Sequence, residues 1–160
     1  MQTLSKIETA NKKEKYEVLI PQLRGLFEGE QDRIANMANL CAALKETFNF
    51  FWVGFYIVQN DQLVLGPFQG SIACTRIPFG KGICGRAWKE RKSLIIDDVT
   101  LDSGHIACSA ESKSEIVIPI RNKAGEIAAV LDIDEKTIGA FDHMDQVYLE
   151  IIAGLISPCL

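Results

Sequence analysis

The chain has 160 residues, of which 48% are hydrophobic and 24% charged, and this length matches the commonest size of a single domain with its own core. A formal net charge of −4 argues against binding to duplex nucleic acid, which requires a basic surface. No apolar stretch approaches the roughly 18 residues of a membrane span, and the charged first 17 residues lack the apolar segment of a secretory signal. We therefore expect a cytoplasmic protein. Its five cysteines, an odd number, are then more typical of core, catalytic or metal-binding residues than of a disulfide framework.

Two helices are predicted in the first third of the chain. Residues 1–12 are polar without a period and are expected to be frayed, whereas 13–27 carry apolar residues at helical spacing around an internal proline, Pro21. Residues 32–48 show a clearer apolar stripe. Cys41 lies in that stripe, so we interpret it as a small core residue.

The remainder predicts short strands, one inserted helix and a closing helix. Strands are expected at 50–58, 63–65, 73–78, 94–97, 115–120 and 126–134. Gly66-Pro67 should interrupt the second strand, residues 80–82 should open a short helix, and Asp142 should cap a last helix running to Ser157. The sum is an α+β fold with a mostly antiparallel sheet, in a single domain covering 1–160.

Three acids are expected on one face of this sheet because side chains alternate along a strand. If a two-residue turn at 124–125 joins the two strands, Glu115 lies opposite Asp134 and Val117 opposite Asp132. A solvated sheet face is the ordinary interpretation of such a group. The alternative is a cavity in which repulsion and desolvation raise at least one carboxyl pKa, so that a neutral acid can donate a proton to a developing oxyanion.

Three cysteines lie in glycine-rich or polar surroundings: Cys74, Cys84 and Cys108. Cys84 falls in the first turn of a predicted helix, where the amide dipoles favour a thiolate, and His105 precedes Cys108 by three residues. Each cysteine alone would be read as a buried structural thiol, but three together favour thiol chemistry. A Cys3His zinc site is the rival hypothesis, which the lack of a close C-x-x-C pair disfavours. We therefore predict no metal.

Trp52 and Tyr56 share one side of their predicted strand. They can wall an apolar pocket or belong to an ordinary core. The sequence pattern alone leaves both interpretations open.

Several segments together carry a resemblance to a known family. They are WVGFY at 52–56, LVLGPFQGSIAC at 63–74, RIPFGKGICG at 76–85, SGHIAC at 103–108, SEIVIPI at 114–120 and VLDID at 130–134. These segments resemble the free methionine-(R)-sulfoxide reductases, which have the GAF fold. That resemblance implies a six-stranded antiparallel sheet with helices packed on one face and a ligand pocket on the other.

The resemblance also implies roles for the three cysteines. Cys108 matches the residue that attacks sulfur, and Cys84 and Cys74 match cysteines that form a disulfide with it, with Cys84 as the alternative nucleophile. The implied reaction reduces free L-methionine-(R)-sulfoxide to methionine through a sulfenic acid and an intramolecular disulfide. A thioredoxin-like dithiol would then reduce the disulfide, with no metal or organic cofactor.

The resemblance assigns the acids and aromatic residues to substrate binding. Glu115, Asp132 and Asp134 match acids that contact the sulfoxide and the amine, and Trp52 and Tyr56 match aromatic walls around the methyl-thio end. A homodimer through the first helices is expected by analogy with the fold. The competing hypothesis is a non-catalytic GAF module that senses a small molecule or redox state.

Overall fold

The computed structural model describes residues 4–104 and 109–160. Its helices are α1 Lys12–Phe27, α2 Arg33–Phe48, α3 Gly82–Glu90 and α4 His143–Gly154. Its strands are β1 Trp52–Gln59, β2 Gln62–Gln69, β3 Arg76–Pro78, β4 Leu94–Ile96, β5 Ser114–Arg121 and β6 Ile127–Glu135. Two short 3-10 helices, Val99–Leu101 and Ser157–Cys159, complete these elements.

Side-chain caps explain where three of the helices begin. Asn11 and Asp32 each accept a hydrogen bond from a backbone N–H of the first turn that follows, which satisfies a donor that the helix leaves unpaired. Asp142 caps α4 as predicted and forms a reciprocal capping box with Asp145. The predicted helices are confirmed, although α4 ends at Gly154 rather than at Ser157.

All six strands form one antiparallel sheet in the order β3-β2-β1-β6-β5-β4, which confirms the predicted α+β class. The prediction that Gly66-Pro67 ends the second strand is wrong, because β2 continues to Gln69. Those two residues instead lie opposite the single residue Phe55, where the register shifts. A bulge tolerates proline because the missing N–H is not needed for the ladder.

The sheet separates two apolar clusters. One face packs against α1, α2 and α4 and buries side chains such as Phe55, Ile118 and Leu131. Cys41 lies in this cluster with no exposed surface, which confirms its interpretation as a core residue. The opposite face packs mainly against α3 and includes Trp52, Tyr56, Val117 and Val130.

The segment 4–11 has no helix or strand, but it is held against the protein. Leu4 and Ile7 are partly buried against the helix-side cluster, and the backbone N–H of Ser5 donates to the Gln22 side chain. Among the residues that the structure describes, no helix is both long and apolar enough to span a membrane.

Candidate active site

The β-sheet register brings the three acids together on the face that α3 covers. Glu115 lies opposite Asp134 and Val117 opposite Asp132, as the sequence predicts. On the other side of β6, Trp52 pairs with Asp134, and Gly54 with Asp132. The central strands β1, β6 and β5 therefore supply one continuous polar and aromatic surface.

This register holds even though the turn is longer than assumed. The backbone N–H of Asn122 donates to the Glu126 carbonyl at 2.8 Å, so that 123–125 form a three-residue loop. A register shift follows at once, between Ile120 and Arg121. The extra turn residue is therefore offset by one extra residue in β6, and the acids keep their predicted partners.

The acids are not on a solvated face. Glu115 and Asp132 are each only 6% exposed to solvent, and Asp134 is half-buried. Asp132 Oδ1 is buried and accepts no hydrogen bond from any residue that the structure describes. A buried carboxylate oxygen without a donor costs free energy in the unliganded protein.

Burial raises the pKa of all three carboxyls. The pKa of Glu115 lies well above its ordinary value because of desolvation and then the neighbouring charges of Asp132 and Asp134. Desolvation and Asp134 likewise raise the pKa of Asp132. The pKa of Asp134 rises to about 6 by burial, although a hydrogen bond from the Ser112 hydroxyl opposes the shift. At neutral pH the group therefore retains protons that an exposed group of acids would release.

Cys84 lies against this group from the first turn of α3. Its thiol donates to Glu115 Oε1, with a sulfur–oxygen distance of 3.8 Å, and the side chain is buried. The predicted stabilisation of a thiolate by the helix dipole does not prevail, because desolvation and then Asp132 and Glu115 raise the pKa of Cys84 well above its ordinary value. Cys84 is therefore a neutral thiol that donates to a carboxyl group.

A close glycine contact places α3, and with it Cys84. A Cβ atom on Gly85 would lie 2.6 Å from the carbonyl oxygen of Pro78 in β3. Only glycine permits this approach. At the same helix, the Arg86 guanidinium forms an ion pair with Asp102 at 2.5 Å, and Asp102 also accepts from the backbone N–H of Gly104 at 2.9 Å. Helix α3 is thus tied to β3 on one side and to the 102–104 turn on the other.

The aromatic side chains wall the same space. Trp52 stacks on Phe68 with ring centroids 5.4 Å apart, and its indole N–H donates to the Ser71 carbonyl at 3.0 Å. The hydroxyl of Tyr56 donates to the Cys74 carbonyl at 3.1 Å. Both rings therefore serve as a pocket wall as well as core, and both hold the 71–74 segment over the sheet.

The resulting cavity and its mouth together span about 520 Å³, part of which is open solvent. It contains Cys84, the three acids and the two aromatic residues named above. Sequence reasoning did not name the other nine lining residues as site residues: Phe51, Ser71, Ile72, Ala73, Ile77, Gly82, Ile83, Ser109 and Ser112. The parity of the strands identifies residues on strands, but it carries no information on which loop folds over them.

Comparison with known proteins identifies the family. The family model of the GAF domain matches residues 32–160. GAF domain-containing protein A of Dictyostelium discoideum is 55% identical over 151 residues, covering 94% of this chain and 95% of that protein. The free methionine-R-sulfoxide reductase of Escherichia coli is 45% identical over 147 residues, covering 91% of this chain and 88% of that protein. The chain belongs to the GAF domain family.

The fold of this GAF domain is similar to that of an enzyme solved with its substrate bound. The X-ray structure of free methionine-R-sulfoxide reductase from Neisseria meningitidis in complex with its substrate has a TM-score of 0.94. It is 43% identical, and the match covers 98% of this chain and 94% of that one. The resemblance inferred from the sequence motifs is thereby confirmed, and this GAF domain is homologous to enzymes of that name.

The predicted site residues of the GAF domain divide into two groups. The structure brings together Trp52, Tyr56, Cys84, Glu115, Asp132 and Asp134 around one cavity. Cys74 is disulfide-bonded and half-buried beside it, whereas Cys84 is a free thiol. Cys108 and His105 lie outside the described residues, so the nucleophile assigned to Cys108 stays a prediction. Three side chains of the site could hold a metal ion together: the Cys84 sulfur and one oxygen each of Glu115 and Asp132 lie within 4.8 Å of one another.

Proposed function

We propose that this protein reduces free L-methionine-(R)-sulfoxide to methionine by a thiol mechanism. The observation that carries the proposal is the buried Asp132 carboxyl, whose Oδ1 lacks a donor among the described residues in a cavity shared with Glu115, Asp134 and a thiol. A small zwitterion supplies what this cavity lacks, because its ammonium group donates hydrogen bonds and offsets negative charge. The 45% identity to the Escherichia coli reductase supports this choice of substrate.

The substrate would lie with its two ends in different parts of the cavity. Its ammonium group would contact Asp132 and Asp134, and its methyl-thio end would lie against Trp52 and Tyr56. The carboxylate can bind backbone N–H groups of the glycine-rich 80–85 turn. A peptide-bound methionine sulfoxide lacks the free ammonium and carries chain on both sides, so the cavity should exclude it.

Reduction requires a nucleophilic sulfur and a proton donor. The Cys108 thiolate would attack the sulfoxide sulfur, and oxygen would pass to the cysteine, which leaves methionine and a cysteine sulfenic acid. A second thiol, assigned to Cys74, would then condense with the sulfenic acid to give a disulfide and water. The disulfide bond at Cys74 supports this assignment. A thioredoxin-like dithiol would return both cysteines to thiols by exchange.

The acid group would supply the proton for the departing oxygen. Glu115 and Asp132 have a strongly raised pKa, so one of them can remain neutral at pH 7 and donate as negative charge develops. Cys84 donates to Glu115 Oε1 and so helps to orient that carboxyl. The pair shares its protons, and the role of donor belongs to the group rather than to one residue.

The test is a turnover assay with free methionine sulfoxide, thioredoxin, thioredoxin reductase and NADPH. We expect consumption of the R epimer, with no consumption of the S epimer or of a peptide-bound sulfoxide. Cys108→Ser should abolish turnover, whereas Cys159→Ser, which changes a half-buried thiol near the C-terminus, should leave it unchanged. Binding of the R epimer without turnover would instead support a sensing module, and full activity in Cys108→Ser would refute the assigned nucleophile.

A further inference from the structure

Cys84, Glu115 and Asp132 have the composition and spacing of a three-ligand metal site. Their candidate ligand atoms lie within 4.8 Å of one another, and the Cys84 sulfur is 3.8 Å from Glu115 Oε1. Two ligands on a tetrahedral zinc ion are about 3.5 Å apart, given metal–sulfur and metal–oxygen bonds of about 2.3 and 2.1 Å. A contraction of a few tenths of an ångström would therefore suffice for this pair, and the remaining ligand atoms, which lie within 4.8 Å of one another, would have to close by up to about 1 Å.

Cys84 and Glu115 both hydrogen-bond to the Asp132 carboxyl, but within the described part of the chain these bonds leave one of its oxygens without a partner, and this second observation points to a cation. Asp132 Oδ1 is buried and has no hydrogen-bond partner among the described residues. The Asp132 side chain retains 6% exposure and lines the cavity with Cys84 and Glu115. A divalent ion can bind this Asp132 oxygen, the adjacent Glu115 carboxyl and the adjacent Cys84 thiolate at the same time.

We propose that this cluster binds one thiophilic divalent cation, such as Zn²⁺, and that the bound ion inhibits the protein reversibly by occupying the place of the substrate ammonium. The inhibitory part rests on the proposed function, whereas binding of the ion does not. Binding forms one metal–sulfur and two metal–oxygen bonds and releases the Cys84 proton, and any proton on the carboxyls, to solvent. Water completes the coordination, and the thiol mechanism proposed above has no step that uses the ion.

Donor chemistry decides which cations bind. A sulfur ligand favours Zn²⁺ and Cd²⁺ over Mg²⁺ and Ca²⁺, which prefer an all-oxygen shell. The ion also reverses the local electrostatics, because a divalent charge next to Glu115 and Asp132 stabilises the deprotonated forms that burial disfavours. Because Asp132 would contact both the substrate ammonium and the divalent metal, the two cations would compete for it.

Calorimetric titration of the metal-free protein with ZnCl2 tests binding without any turnover. We expect one equivalent of Zn²⁺ to bind with release of at least one proton, read from the dependence of the heat on the buffer. Cys84→Ser, Glu115→Gln and Asp132→Asn should each weaken binding at least about tenfold, and Cys159→Ser should leave it unchanged. Thermal unfolding checks that each variant is folded. Stoichiometric binding that all three site variants retain, or no binding at millimolar Zn²⁺, would overturn the proposal.

Kinetics then test the inhibitory part. With free methionine-(R)-sulfoxide, Zn²⁺ should raise KM without lowering kcat, and EDTA should restore activity. Zinc binding at the cluster without competition would overturn this part alone. If the protein binds Zn²⁺ as described but does not turn over any sulfoxide, the proposed function fails and the metal site stands.

Discussion

Asp132 is the residue at which stability and ligand binding conflict most clearly. Its carboxyl is buried beside Glu115 and Asp134, which raises its pKa, and its Oδ1 lacks a donor among the described residues. An ordinary core would place an apolar or neutral side chain here, because an uncompensated charge is costly to bury. Retaining an acid makes sense where a cationic ligand completes the site.

Replacing Asp132 by asparagine should therefore stabilise the protein and weaken its activity. At pH 8 the free energy of unfolding should rise by about 1–3 kcal/mol, because asparagine removes a buried charge while keeping the shape. For the proposed reaction, kcat/KM should fall by about a hundredfold, as expected when a buried ionic contact to substrate is lost.

Urea denaturation and steady-state kinetics on the same preparation measure both effects. Glu28→Gln is the matched control, since it neutralises an exposed acid and should change the unfolding free energy by no more than about 0.5 kcal/mol. Destabilisation by Asp132→Asn at pH 8 would show that the ionised carboxyl has favourable partners and would contradict the conflict described here.

Single residues also show where sequence reasoning stops. The spacing of the chain places Cys84 in the first turn of a helix, which the structure confirms. Its proton affinity, however, is set by acids that lie 31 and 48 residues further along the chain. The local helix signal predicts a lowered pKa, and only the tertiary contact reverses the sign.

At the scale of elements, the position of α3 depends on one small side chain. Gly85 follows Cys84 and lies so close to β3 that an added Cβ would meet the Pro78 carbonyl oxygen at 2.6 Å. Backbone atoms cannot yield as a flexible side chain does, so the whole helix must shift to accept a larger residue. Such a shift carries Cys84 away from Glu115.

Gly85→Ala should accordingly lower both stability and activity. We expect a loss of about 1–3 kcal/mol in unfolding free energy from overpacking, together with a lower kcat/KM for the sulfoxide. The matched control is Gly25→Ala in α1, where an added Cβ meets nothing within 4 Å. That change should stabilise the protein by up to about 1 kcal/mol, because alanine is the better helix former.

Thermal and chemical denaturation of the two alanine variants compare these effects directly. Equal stability in both would mean that α3 has room to move, and the role given to Gly85 would have to be abandoned. An activity loss in Gly85→Ala with unchanged KM for the substrate would locate the effect in the chemistry rather than in binding.

Element-scale predictions succeeded where period and parity decide the outcome. The pairing of Glu115 with Asp134 follows from alternation, and it survives a wrong turn length because the bulge in β6 restores the register. The sequence predicts a strand end at Gly66-Pro67, since it does not show that β2 can carry a bulge there opposite Phe55. No sequence pattern predicts that the 71–74 segment lies over the cavity, because tertiary hydrogen bonds from Trp52 and Tyr56 fix its position.

At the scale of the whole molecule, the sheet assigns stability and chemistry to opposite faces. The helix side holds the larger apolar cluster, and there the buried Tyr16 hydroxyl donates to Asp145 at 2.9 Å. Lys12 completes this contact between α1 and α4 with an ion pair to Asp145 at 2.6 Å. None of these groups lines the candidate site.

Tyr16→Phe should therefore weaken the fold without affecting the site. The loss of a buried hydrogen bond to a charged group should lower the unfolding free energy by about 1–3 kcal/mol. The values of kcat and KM should stay within experimental error of the unmodified protein at a temperature where both are folded. A changed KM would show that the two faces of the sheet are coupled.

The acid cluster also gives the whole protein an unusual dependence of stability on pH. The unfolded chain releases the Asp134 proton near the ordinary aspartate pKa of about 3.9, whereas the folded protein holds it to a pKa of about 6. Between these values the folded state binds more protons than the unfolded state, so the free energy of unfolding falls as pH rises. Glu115 and Asp132, with a pKa raised well above the ordinary value, extend this fall to higher pH.

Urea denaturation between pH 4.5 and pH 8 should show this decline. Asp134 alone accounts for about 2 kcal/mol of it, because a rise of about two pKa units is worth about 3 kcal/mol in all and about a third of that is already lost below pH 4.5. The lowered pKa of Asp142 acts in the opposite sense, but only below about pH 4, where that carboxyl gains its proton.

In Asp132→Asn the decline should be shallower, since one acid of the cluster is gone. Free methionine should also reduce it by binding the folded state at pH 8, because its ammonium offsets the ionised carboxyls. A stability that rises steadily from pH 4.5 to pH 8 would mean that the acids are ionised and well paired in the folded protein, contrary to the site described here.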